Sequence, residues 1–238
     1  MKKWICFLFL LVPCAAGALE LSDASRREAK LYTTFIEAVY AQLSGDPRAL
    51  DLFKEALSYS PDNAYIKRNI VATAIMQDRF DETEAYADFI TEESDAEDWT
   101  VRAAYLLKEN QIPQALQAYE QALKLAPDDT RIAYQYMLVL AYAGDTESLE
   151  KMEDLAQRFT QMAATVYLEM GRIYWRDKNA PAALEYYNKA CEADPFSVEA
   201  RLARAQFYER TSNFFLMLYE FEQLEKMGYA SADMFTRM

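Results

Sequence analysis

The sequence predicts an all-α chain built as a solenoid of helix pairs, and three observations carry that prediction. Only 5 Gly and 7 Pro occur in 238 residues, 52% of them apolar, so long helices with short connections can bury a substantial core. Six of the prolines fall into two columns, Pro47, Pro113 and Pro181, then Pro61, Pro127 and Pro195, with spacings of 66 and 68 residues inside a column and an offset of 14 between columns. Between the paired prolines lie Ala49, Phe53 and Ala56, then Ala115, Tyr119 and Ala122, then Ala183, Tyr187 and Ala190. Small, aromatic and small at i, i+4 and i+7 form one face of a helix.

Residues 1–18 read as a secretory signal: Lys2 and Lys3 begin it, Trp4 to Val12 is apolar, and Ala16, Gly17 and Ala18 offer a small-residue cleavage site. The apolar run is short for a permanent membrane span. Cleavage after Ala18 removes two Lys and no acid, taking the formal charge from −13 to −15. Within the same segment Leu11-Val12-Pro13-Cys14 resembles a bacterial lipoprotein box, with Cys14 as the lipid-bearing residue, although Pro13 stands where that pattern expects a small residue. Both readings imply export to a periplasm or cell envelope, with Cys14 as the one possible membrane anchor. Cys6 leaves with the signal, and Cys191 then has no partner for an internal disulfide and reads as a buried small hydrophobe.

A short lead, residues 19–29, precedes a single array over 30–231 and a tail over 232–238. Proline is tolerated in the first turn of a helix and just past its end, so each proline pair brackets one helix of about three turns. A partner helix precedes two of the brackets, marked by Trp99, Ala103 and Leu106 and by Tyr167, Met170, Gly171 and Tyr174. These residues resemble the tetratricopeptide repeat, whose pattern is W-x2-L-G-x2-Y, A-x3-F and P. The first unit matches at Ile36, Tyr40, Ala49, Phe53, Ala56 and Pro61 but has Thr33 and Glu37 in the first aromatic and Gly columns. Weaker copies without the prolines start near Ala64, Thr130 and Val198. They keep Phe80 with Glu82 ahead of a second helix, Gly144 in a turn, and Ala205, Tyr208, Phe214 and Phe221 in the last unit. The resemblance implies about six units of 34 residues, hence twelve antiparallel helices in a right-handed superhelix with a concave groove.

Catalysis is disfavoured by the residues that are missing. With no histidine in the chain, no imidazole base, Ser-His-Asp or Cys-His nucleophile can be built, and most zinc sites are excluded. The chain also lacks a phosphate-binding glycine loop, a G-x-S-x-G and a CxxC. No enzyme activity, cofactor or metal is therefore expected. Against 25 Lys and Arg stand 38 Asp and Glu, a balance that repels phosphate and disfavours nucleic acid. Nine carboxylates and no base fall between Asp81 and Asp98, a stretch that reads as a solvated face, with docking of a basic partner or loose cation binding as the functional alternatives.

Members of the family that this sequence resembles hold peptides along the concave side, at the second, fifth, ninth, twelfth and thirteenth residues of the first helix of each unit. In this register those positions include Arg68, Lys108, Arg131, Arg172, Arg176 and Arg210, with Glu97, Glu199 and Glu209. About three basic and five acidic residues would fall there by chance, given the composition past the signal. Tyr65, Tyr134, Tyr142 and Trp175 share the groove, and Arg and aromatic side chains are the usual anchors of interfaces. Trp175 between Arg172 and Arg176 is the sharpest cluster. Chaperone-tail recognition is disfavoured, because Ala38, Ala72 and Ala104 stand where that specialisation wants Asn.

The sequence thus points to an exported adaptor that binds an acidic or aromatic-containing peptide or protein in its groove. The competing reading is a structural subunit of an envelope assembly. Phe214, Phe215, Leu216, Met217, Leu218 and Phe221 make the last helix unusually apolar, which the tail (Tyr229, Phe235) or a second copy of the chain would cover. A small anionic solute is a third possible occupant of the groove.

Overall fold

The computed structural model describes residues 22–229. The signal, Cys14 and the tail beyond Tyr229 lie outside the described residues. Among the described residues there are eleven α-helices and no strand, and no helix is long and apolar enough to cross a membrane. The chain divides into two compact units, the first ending at Ile66 and the second beginning at Lys67.

The first unit is a helix pair, α1 (Asp23–Ser44) and α2 (Ala49–Tyr59). Ser22 caps α1 by accepting the Ser25 N–H at 3.1 Å, so the helix starts well inside the stretch expected to be a lead. Ala38 and Ala41 of α1 are buried, as are Ala49, Leu50, Phe53 and Ala56 of α2, and the Phe35 and Phe53 rings lie 5.8 Å apart. The small residues let the backbones approach while Phe53 fills the space beside them.

The boundary falls in α3 (Ala64–Met76), and the second unit continues through α4 (Ala96–Lys108), α5 (Ile112–Leu125), α6 (Thr130–Ala143), α7 (Thr146–Arg158), α8 (Ala163–Arg176), α9 (Ala180–Ala193), α10 (Val198–Arg210) and α11 (Phe214–Lys226). Pro113 and Pro181 sit in the first turns of α5 and α9, and the bracketed columns Ala115, Tyr119, Ala122 and Ala183, Tyr187, Ala190 are buried. Helix starts are capped by Asp95, Asp129, Asp145, Asn179, Ser197 and Asn213. Asp95 and Asp98 form a reciprocal capping box, with both hydrogen bonds at 2.9 Å.

The second repeat departs from the expectation of twelve helices. After α3 the chain makes two short 3-10 turns, Phe80–Glu82 and Glu84–Tyr86, and residues 87–95 are not helical. A helix there would set Glu84 against Asp88 and Asp88 against Glu92 at i, i+4, with no basic residue to offset the repulsion. Phe89 instead plugs a small core with Val71 and Val101, and Arg102 donates to the Ala87 carbonyl at 3.1 Å. Four acids of this stretch have structural work: Glu82 pairs with Arg79, Asp95 and Asp98 cap α4, and Glu97 pairs with Arg131. Among the described residues no three carboxylates converge to hold a metal ion.

A turn column marks every repeat. Gly45, Asp78, Asn110, Gly144, Lys178 and Ser212 all have φ between 56° and 71° and lie 32 to 34 residues apart, each just past the first helix of its unit. In five of the six, the next residue donates its N–H to the carbonyl five residues back, as in Asp46 to Ala41 and Asn179 to Tyr174, which closes the helix end.

Polar ties hold neighbouring helices in the second unit. Glu120 of α5 accepts from Tyr136 of α6 at 2.9 Å and from Lys151 of α7 at 2.7 Å. Burial works against the Glu120 charge, but those two donors outweigh it and hold its carboxyl below the ordinary value. At the far end Glu220 of α11, 2% exposed, pairs with Arg201 at 3.2 Å and Arg204 at 2.8 Å, and Arg204 also donates to Asn188 of α9. Met217, Phe221 and Leu224 are the buried apolar residues of α11, whereas Phe214, Phe215 and Tyr219 are exposed. Cys191 is a buried free thiol whose pKa is raised by burial, so it stays protonated at neutral pH.

Candidate functional site

A recess of about 350 Å³ opens between α8 and α10. Along α10 the residues Glu199, Leu202, Gln206 and Arg210 recur at i, i+3, i+7 and i+11, which places them on one face of the helix. Opposite them α8 supplies Arg172 and Trp175, and Tyr187 of α9 lies at the base. Phe207 is the hub of the floor. Its ring meets Trp175 edge-on at 5.1 Å, Tyr187 at 6.0 Å and Tyr208 at 5.8 Å, geometries that suit the ring quadrupoles.

The backbone of α8 makes this floor possible. A Cβ at Gly171 would stand 2.6 Å from two ring carbons of Tyr187, so only glycine lets α8 and α9 approach with the ring between them. Burial raises the Tyr187 phenol above its usual pKa, while the positive charges of Arg172 and Arg210 pull in the opposite direction. Arg172 pairs with Glu169 one turn earlier on its own helix. Arg210 and Glu199 form no ion pair among the described residues.

The other groove positions have different fates. Arg68 is buried, pairing with Asp98 at 3.2 Å and reaching Asp95 at 3.9 Å, so it ties α3 to α4 and offers no exposed cation. Arg131 bonds Glu97 at 2.8 Å, across from α6 to α4. Lys108 lies 3.9 Å from Asp78. Tyr134 and Tyr142 are exposed on α6, and Tyr65, also exposed, lies with its ring tilted against that of Phe35 in the first unit at 5.7 Å. Arg176 does not line the recess: its guanidinium occupies the space where a Gly144 side chain would stand, and its Nε lies 3.4 Å from Asp177. The expected trio around Trp175 is therefore replaced by Arg172, Trp175 and Arg210. The sequence does not mark Tyr187 or Phe207 as part of a site: Tyr187 belongs to a column that reads as core, and Phe207 falls outside the groove positions of the register.

The arrangement suits recognition: a half-buried indole and a ring floor offer apolar area, and guanidinium groups at the rim offer paired hydrogen bonds to a carboxylate. The recess contains one carboxylate and no thiol or hydroxyl nucleophile beyond the Tyr187 phenol, which burial keeps protonated.

Residues 96–129 match the sequence profile of the tetratricopeptide repeat, and a second profile of the same description matches 146–198 and 168–214, which include the recess. No curated protein matches the chain. Among solved structures it is similar to YrrB, described as a TPR protein with an unusual peptide-binding site, at 19% identity and a TM-score of 0.59, covering 76% of this chain and 98% of that one. It is also similar to the C-terminal part of a TPR repeat-containing protein from Cytophaga hutchinsonii (20% identity, TM-score 0.62, covering 81% and 78%) and to a tetratricopeptide repeat protein from Parabacteroides merdae (13%, 0.62, covering 88% and 84%). At these identities the likeness is one of fold.

Proposed function

Because the chain is a tetratricopeptide-repeat protein, of the superfamily whose helix pairs serve protein–protein interaction, we propose that it is a non-enzymatic adaptor and that the recess between α8 and α10 is its peptide-binding site. The observation that carries the reading is the convergence of Arg172, Trp175 and Arg210 on one aromatic floor, with Arg210 unpaired among the described residues. Its ligand is a peptide or a segment of a partner protein with an acidic group and an aromatic or aliphatic side chain. The YrrB likeness is consistent with such a role, since that TPR protein is described as having a peptide-binding site. A rigid helical wall limits the ordering cost of binding.

We place this activity outside the cytoplasm, in a periplasm or cell envelope, on the strength of Lys2, Lys3 and the apolar run that follows; Cys14 offers a lipid anchor as the variant of the same reading.

Peptides selected from a random display library on the wild-type protein test the site. Arg172→Glu with Arg210→Glu is expected to weaken the selected peptides by about tenfold or more. Both side chains are exposed, so helicity and melting should stay unchanged. Selected peptides that bind the double variant as tightly as the wild type would contradict the assignment.

A further inference from the structure

The recess is electrically two-ended. Glu199 stands in the first turn of α10 and Arg210 in its last, on the same face, with Leu202, Ala203 and Phe207 between them. Eleven residues at 1.5 Å each separate the two charges by about 16 Å along the helix. Arg172 of α8 adds a second cation but is already paired with Glu169. Neither Glu199 nor Arg210 has an ion partner among the described residues, so each end of the recess presents a charge of its own sign over an apolar middle.

Resting on the peptide-binding reading above, we infer that the ligand is dipolar: an extended segment with a basic side chain, an aromatic or aliphatic side chain and an acidic side chain on alternate residues. In an extended chain, residues i, i+2 and i+4 face one way and span about 13 Å between the outer Cα atoms, which side-chain length extends to the separation of Glu199 and Arg210. The basic group meets Glu199, the ring or aliphatic group packs against Trp175 and Phe207, and the carboxylate meets Arg210 and Arg172. Either direction of the peptide backbone satisfies this order of charges, so the recess fixes the charge sequence along the groove and not the chain polarity. A uniformly acidic peptide would set one of its carboxylates against Glu199.

Two unlabelled peptides measured by isothermal titration calorimetry with the full chain test this: acetyl-Lys-Ser-Phe-Ser-Glu-amide and acetyl-Glu-Ser-Phe-Ser-Glu-amide. The wild type is expected to bind the dipolar probe about fivefold more tightly than the diacidic one, the scale of one exposed charge pair turned from repulsive to attractive. Glu199→Gln should erase the preference and Glu199→Lys should invert it, while Arg172→Glu with Arg210→Glu should weaken the dipolar probe. Equal affinity for both probes in the wild type, with binding still lost in the double Arg variant, overturns the dipolar inference and leaves the peptide site standing. Failure of both probes to bind, or binding indifferent to the double Arg variant, takes down the peptide site as well.

Discussion

At Gly171 one hydrogen atom decides how closely two helices approach. The Tyr187 ring packs where a side chain would begin, and that ring is also the base of the recess, so the same residue sets both packing and the shape of the site. Gly171→Ala is expected to destabilise the protein by about 1–3 kcal/mol, the usual cost of adding a methyl group to a filled core. It should also weaken peptide binding as Tyr187 is displaced; thermal melting with a peptide titration checks both, and an unchanged melt would show that the ring yields freely. Gly171 was legible in the sequence as a member of the small-residue column. The partners of the arginines were not, because a charge pair depends on which acid lies opposite in space: Arg68 meets Asp98 thirty residues on, and Arg131 meets Glu97 thirty-four residues back. Both acids belong to a stretch that reads in the sequence as a solvated face, yet α4 carries them beside those arginines.

Elements repeat more faithfully in their turns than in their helices. Six left-handed residues mark six repeats, but only Gly45 and Gly144 are glycine, so the column is nearly invisible in the sequence. The second repeat keeps Asp78 in that turn although the helix that should follow is absent, which locates the divergence after the turn, in the run of acids. The non-glycine members carry a Cβ in a region where L-residues are disfavoured. Lys178→Gly is expected to stabilise the protein by on the order of 0.5 kcal/mol, the relief of that strain less the added freedom of the unfolded chain. Gly45→Ala, at a turn where a Cβ meets nothing within 4 Å, should destabilise it through backbone strain alone. Chemical denaturation of the two variants checks the pair; a Lys178→Gly that destabilises together with a Gly45→Ala that leaves stability unchanged or raises it would show that the turn conformation is not under strain.

For the whole molecule, the proline columns and the buried small-aromatic faces made the all-α repeat legible from composition and spacing, because periodic burial leaves a periodic record. The charge told less. A formal −13 describes the chain as a whole, whereas the recess sets two arginines against one glutamate, an arrangement that emerges only when α8 and α10 are brought side by side. A rival surface exists in the exposed Phe214, Phe215 and Tyr219 of α11, the helix that the sequence marked for assembly. Photo-crosslinking in the native cells separates the two most directly, with a benzophenone amino acid replacing Gln206 in the recess or Phe215 on α11. The recess account predicts protein adducts from position 206 that disappear when Arg172→Glu and Arg210→Glu are added. Adducts from position 215 alone, with none from 206, would contradict it.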